Sequence, residues 1–380
     1  MVRAGIRGGN EATPNASRPR LPSPRRWIRA LGVGGMALLA AACSGQGLPP
    51  GVADGPLFND LRHFTSLGSE PAATASSEFW DHWGDGQAEL SGYRMTISRY
   101  GEPRHAELAL IYVTEPHDRH SWIKDDDAEA PDRVEVLKLN QHVEFLTGIY
   151  PYSVMTSVFG PVDDWGGATE ERFQPVRIVH GVQEWCGAYS HRIWPGPESF
   201  RSLRLSYFAH EGERLREVEA RRDRTLYEDA LLVQLRELDG PFAQGGDWEG
   251  LLVPELWRLR SGHGGTEPVP ARITRHDDDS VTLSGGAPDP SADAAPIPAT
   301  RFELEAGDYR RTFWVEAEAP RRVLAWETSL GDRAEILATE RLAYWELNRP
   351  GDEEWREALG LDPRGALPPA PDGAGPAGGC

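Results

Sequence analysis

The chain has little sulfur, little positive charge for its length, and no apolar run long enough to cross a bilayer as a helix. Three cysteines in 380 residues cannot build a disulfide scaffold, so the fold must rest on a packed core. Forty Lys and Arg against 59 Asp and Glu leave a formal charge of −19, with no basic stripe and interleaved aromatics to offset it. A phosphate backbone would be repelled, which excludes nucleic-acid binding. The apolar run at residues 30–42 covers 13 positions where a spanning helix takes ~20. Also missing are a Gly-rich phosphate loop after a strand, an alternation of strands with crossover helices, and repetition at a solenoid period.

What is present begins with an export signal. Arg18, Arg20, Arg25, Arg26 and Arg29 precede residues 30–42, which are rich in Ala, Leu and Gly, as the n-region and h-region of a signal peptide require. The run ends in Leu39, Ala40, Ala41, Ala42 and Cys43, which resembles the lipobox of bacterial lipoproteins, with Leu39 one place early. That resemblance implies cleavage before Cys43, diacylation of its sulfur and acylation, typically palmitate, of the new amino terminus. Two or three acyl chains anchor firmly, at ~0.8 kcal/mol per buried CH₂. Arg29 falls where a twin-arginine signal needs an apolar residue, so the general secretory route is expected. Residues 1–42 hold seven arginines and one glutamate, so the chain beyond them is more acidic still. Cys186 and Cys380 would then be the remaining thiols, and an unpaired Cys186 is the simpler expectation.

Residues 43–77 are rich in Gly, Pro, Ala and Ser and read as a tether, and residues 351–380 as an unstructured tail. Between them, residues 78–350 form a mainly β domain. Strand patterns fall at residues 87–100, 105–114, 134–140, 152–159, 176–185, 202–210 and 215–220. Others fall at 271–274, 281–284, 300–304, 310–316, 322–328 and 334–339. Leu203, Leu205 and Tyr207 alternate with Arg204 and Ser206, as a sheet with one wet face requires. One helix is predicted at residues 226–238, stopped by Asp239, Gly240 and Pro241. The predicted fold is a curved antiparallel sheet or partial barrel packed on that helix, with sub-sheets at 78–222 and 250–348 on either side of it. Residues 285–298 read as an exposed insertion, and Asp277, Asp278 and Asp279 as a hairpin turn.

Residues 100–104 (YGEPR), 111–115 (IYVTE), 136–140 (VLKLN), 147–152 (TGIYPY), 155–157 (MTS) and 183–187 (QEWCG) resemble a family of uncharacterised bacterial envelope lipoproteins. The likeness covers residues 79–187 and implies location and fold, with no known activity. Relatives are sometimes labelled septum formation inhibitor Maf, whose SPRR signature is echoed by Ser23, Pro24, Arg25 and Arg26. These lie inside the export signal, and the α/β fold of that enzyme is missing. The later half is similar in pattern to DUF3108 and LolA/LolB-type sheets, whose concave face can hold an acyl chain.

Candidate chemistry centres on Cys186. Even spacing along a strand puts His180, Glu184 and Cys186 on one face, with His191 opposite unless Gly187 bulges the chain. A thiol beside imidazole is a nucleophile pattern, whereas a small cysteine beside a core tryptophan is ordinary packing. Glu184, Trp185, Tyr100, Glu102 and Arg104 are candidate binding residues. His117 and His120 have metal-ligand spacing but lack a third defined donor, so no metal and no cofactor is expected. Glu89, Glu102, Glu115 and Glu184 could supply the carboxylate pair of a glycoside hydrolase. Trp80, Trp83, Trp122 and Trp165 fall near predicted turns and could stack on sugars or lipid, while Trp185, Trp314 and Trp326 suit the core. The expectation is a lipid-anchored protein on the periplasmic side, at the outer membrane, binding a lipid, glycan or protein partner. The alternative is an envelope hydrolase or transferase using Cys186 with His180 or His191.

Overall fold

The computed structural model describes residues 71, 73–127, 129–130, 132–164, 173–236, 242, 246–284 and 295–363, all within one unit, 53–380. The described residues are mainly β. Fifteen strands form one sheet, with β1 (Ala88–Arg99) in the middle. On one side follow β2 (Glu102–Asp118), β3 (Arg133–Thr147), β4 (Tyr150–Pro161), β5 (Arg177–Glu184), β6 (Gly187–Pro195), β7 (Ser199–Leu205) and β8 (Glu213–Glu219). The chain then crosses to the far edge with β9 (Thr225–Tyr227) and returns through β10 (Trp248–Val253), β11 (Val269–Val281), β12 (Ile297–Ala306), β13 (Tyr309–Glu316) and β14 (Val323–Thr328) to β15 (Arg333–Leu342), which pairs with β1. All neighbours are antiparallel except β9 and β10.

This order forces curvature. Fourteen inter-strand spacings make a flat sheet of this size ~67 Å wide. Yet its two edge strands, β8 and β9, are joined by residues 220–224, a connection that can reach only ~20 Å when extended. The sheet therefore curls, its concave face turned inward, while remaining open in hydrogen bonding between β8 and β9. The β1–β15 pairing welds the two expected sub-sheets into one.

The concave face is filled by the chain itself. Alternation along β2, β3 and β4 sends Leu108, Leu110, Tyr112, Leu139, Val143, Val154 and Val158 inward, all buried. The predicted helix at 226–238 is instead β9, a 3₁₀ turn (Glu228–Ala230) and one α-turn, α2 (Leu231–Gln234). Every residue of these is buried, an all-round burial that its helical period alone does not distinguish from a one-sided one. Tyr112 donates to Leu232 O at 2.9 Å. Arg236 donates to Glu89 at 2.7 Å, closing the plug onto β1. A second piece, α3 (Leu256–Ser261), buries Leu256, Trp257, Leu259 and Arg260 against the same interior. Between these pieces and the sheet, a cavity of about 20 Å³ remains beside Glu255, Arg311 and Asp332, room for about one water.

Other boundaries also move. The helix α1 (Ser77–Trp83) starts inside the expected tether, capped by Ser76 Oγ, which accepts from Phe79 N at 3.1 Å, and buries Phe79 and Trp83 one turn apart. The expected tail is ordered in part: 3₁₀ (Asp352–Glu354) and α4 (Trp355–Ala358) lead to buried Leu359 and Leu361. Leu359 O lies where a Cβ on Gly92 would come within 2.0 Å, so glycine there admits this segment. The predicted turn at Asp277–Asp279 is a bulge within β11, with Asp278 at φ 60°. Strands β6 and β10 add to those expected. Cys43, Trp165, Cys380, residues 285–294 of the predicted insertion and the signal peptide lie outside the described residues.

Candidate functional site: an aromatic rim and an outer trough

Because antiparallel hairpins alternate ends, the turns after β1, β3, β5, β7 and β14 all fall at one end of the sheet. Each presents a large exposed apolar side chain: Tyr100, Ile149, Trp185, Tyr207 and Leu330. Trp185 is 69% exposed and Ile149 82%. Tryptophans expected near turns behave otherwise: Trp83 and Trp122 are buried, and only Trp80 among those described is exposed. The hairpin tip at Trp185 and Cys186 explains the reversal, since a two-residue turn leaves no neighbouring strand to cover it.

The rim is connected. Tyr100 OH lies 2.8 Å from Tyr152 OH and 3.5 Å from Tyr150 OH, and the Arg99 guanidinium sits over the Tyr100 ring, 4.1 Å from its centroid. Tyr150 faces Trp185 with ring centroids 6.2 Å apart. Tyr207 donates to Glu184 Oε1 at 2.7 Å, and burial together with that carboxylate pushes its phenol up to about 12. The Tyr207 ring also lies over Gly187, where an added Cβ would sit 3.0 Å from it. The structure thus joins Tyr100 and Trp185 through Tyr150, with Glu184 next in sequence to Trp185 and bonded to Tyr207. Glu102 and Arg104 pair with each other on β2.

Beside the rim, an open trough of about 720 Å³ crosses the convex face of β3 to β7. Its floor is a row of directly opposed residues, His142, Met155, Gly181, Ser190 and Leu205, whose neighbours in sequence point to the core. Small side chains at Gly181, Ala188 and Ser190 make the depression, Gln183, Ser153 and Glu213 supply polar groups, and Tyr207 closes one end.

The expected nucleophile constellation does not assemble. His180 and His191 are directly opposed across the β5–β6 hairpin, so they share the concave face, and both are fully buried. The register, set by the tight turn, puts His191 on the same face as His180 rather than opposite. His180 Nδ1 meets Thr156 Oγ1 at 2.9 Å, and His191 meets Ser202 Oγ at 2.7 Å and Tyr189 OH at 3.2 Å. Burial, aided by neighbouring cations, lowers both imidazoles to about 3. Cys186 sits exposed at the hairpin tip, neither buried beside a core tryptophan nor bonded to an imidazole. The Glu184 carboxylate beside it pushes the thiol up, away from thiolate chemistry.

The carboxylates fare similarly. Burial would raise Glu89, but Arg236 and His82 hold it at about 2. Burial likewise opposes the hydrogen bonds of His117 and Lys138 on Glu115, which hold it low. Glu184 is also lowered, burial being outweighed by the Cys186 N–H and Tyr207. None of these three is poised as the raised general acid that glycoside hydrolysis needs. His117 is buried against Glu115 while exposed His120 faces Asp132, so the two do not share a ligand position.

A different cluster escaped the sequence: His210, Glu211 and His263 offer ligand atoms within 4.8 Å of one another. His210 and His263 are 53 positions apart in the chain, a distance at which spacing carries no signal.

No family model matches this chain, and no curated protein does. A solved structure is similar: the crystal structure of a β-barrel-like protein of domain of unknown function DUF1849 from Brucella abortus, at 6% identity and TM-score 0.38, over 67% of this chain and 98% of that one.

Proposed function

We propose that this is a lipid-anchored cell-envelope protein, held to the outer membrane through Cys43, whose domain is a non-enzymatic module that binds a glycan of the envelope. The observation that carries the glycan reading is the pairing of an exposed aromatic rim with an amide-, hydroxyl- and imidazole-lined trough on the convex face. Sugar rings present apolar faces to aromatics and hydroxyls to polar groups, and a trough answers both. An acyl chain fits less well, because the concave face that would hold it is occupied by α2 and α3.

The test is retention of the full chain, in detergent, on immobilised glycan strands prepared from bacterial envelopes, compared with Trp185→Ala and Tyr207→Ala. Retention that falls about tenfold in each variant supports the reading. Equal retention of all three proteins, or none, refutes it, and capture of a lipid or a protein in place of glycan would move the trough to that ligand.

A further inference from the structure

The described residues place two imidazoles and one carboxylate at the end of the sheet that carries the rim. The loop between β7 and β8 folds back through Glu211 N and Gly212 N, which donate to Phe208 O at 3.0 and 2.8 Å. That turn presents His210 and Glu211 side by side. Across from it, α3 ends with Gly264 N donating to Leu259 O at 2.8 Å, and His263 takes the left-handed position of the cap at φ 55°. A glycine would occupy that position without strain; an imidazole there costs on the order of 1 kcal/mol. Arg204 Nη1 donates to Gly264 O at 3.0 Å, fixing the cap against β7.

Three atoms converge as a result. His210 Nε2 stands 3.7 Å from Glu211 Oε1, and His263 Nδ1 is hydrogen-bonded to the same oxygen. The Phe208 ring backs both imidazoles, at 5.7 and 5.3 Å between centroids. Glu211 is 4% exposed, yet its Oε2 makes no well-formed hydrogen bond. Both imidazoles lie on the other oxygen, Oε1, and both are exposed, so an ion from solvent can reach the cluster.

We propose that His210, Glu211 and His263 bind a zinc-class divalent cation with an open fourth position. Ligands ~2.1 Å from a tetrahedral zinc lie ~3.4 Å from one another, close to the spacing already present. Two imidazoles select against calcium and magnesium, which take oxygen ligands. Binding replaces the proton between His263 and Glu211 with the metal, and that proton leaves to solvent. Arg260, stacked on Phe208 at 5.2 Å, opposes the added charge, while the chain's formal charge of −19 favours it. The ion would cross-link the β7–β8 loop to the end of α3, bracing the wall of the trough that holds Ser206 and Tyr207. The site does not depend on what the trough binds.

The test uses the full chain in detergent, stripped of metal and titrated with zinc alone and with cobalt(II) alone. One equivalent is expected to bind, with visible ligand-field bands for cobalt and a raised thermal midpoint for zinc. His210→Ala, at an exposed position whose ring touches only Phe208 and His263 among aromatic neighbours, should lose at least about tenfold in affinity with an unchanged circular dichroism spectrum. His263→Ala and Glu211→Gln should lose at least as much, and Cys186→Ser should bind as the parent does. Absence of stoichiometric binding, or binding undiminished in His210→Ala, overturns the proposal.

Discussion

Two histidine pairs lie in the same quarter of this sheet and differ in every property that decides use. His180 and His191 oppose each other on the concave face of β5 and β6, buried, and bonded to hydroxyls. His210 and His263 stand at the rim, exposed, and share a carboxylate. The same contrast holds for aromatics: Tyr152 and Trp257 pack edge to face inside, while Tyr100, Trp185 and Tyr207 face solvent. Residue type therefore does not mark the site. Which face of the sheet, and which end of the hairpin, does.

The sharpest way to break this comparison is acid. His180 and His191 fall from an unfolded value near 6.5 to about 3 on folding, so the folded state disfavours their protonation. Their contribution is complete above pH ~6.5 and is lost as pH falls toward 3, on the order of 5 kcal/mol for each at the limit. Thermal melts should show a steep loss over that window. His180→Leu with His191→Leu should flatten it, and His210→Ala should leave it unchanged.

Next in size is the buried ionic cluster behind α3. Arg311 bonds Glu228 and Glu255, both at 3.2 Å, with all three buried. Arg311→Met should lower the unfolding free energy by ~3–5 kcal/mol in denaturant titrations, because Glu255 loses its cation in the core and Glu228 keeps only Arg258. Trp185→Ala is the converse case. Unfolding free energy should move by no more than ~0.5 kcal/mol, since the side chain packs against little. Smallest of all, Cys186→Ser should alter neither stability nor glycan retention, in keeping with an exposed thiol raised by Glu184.

Much of the sheet was legible because inward and outward residues alternate over most of β2, β3 and β5, and Gly101 and Gly148 mark hairpin turns. Strand β6 was not, because the turn before it, Trp185 and Cys186, uses neither Gly, Asn nor Asp, and the strand looks like a continuation. The plug at 228–236 was misread because Tyr227, Leu231 and Leu235 repeat at helical spacing, yet tertiary burial on all sides leaves one helical turn. Glu184, Trp185 and Tyr100, singled out by motif, all lie at the rim end of the sheet. Glu211 and His263 could not be found this way, since their proximity comes from two loops that only the curl of the sheet brings together.

The central claim is that ligand is taken on the outer rim and not in the filled interior. Hydrogen exchange on the full chain in detergent, with and without soluble envelope glycan strands, tests it most directly. Slowed exchange at residues 183–190 and 205–212, with no change at 228–236, is the predicted result. Slowed exchange confined to 228–236, with the rim unaffected, would contradict it.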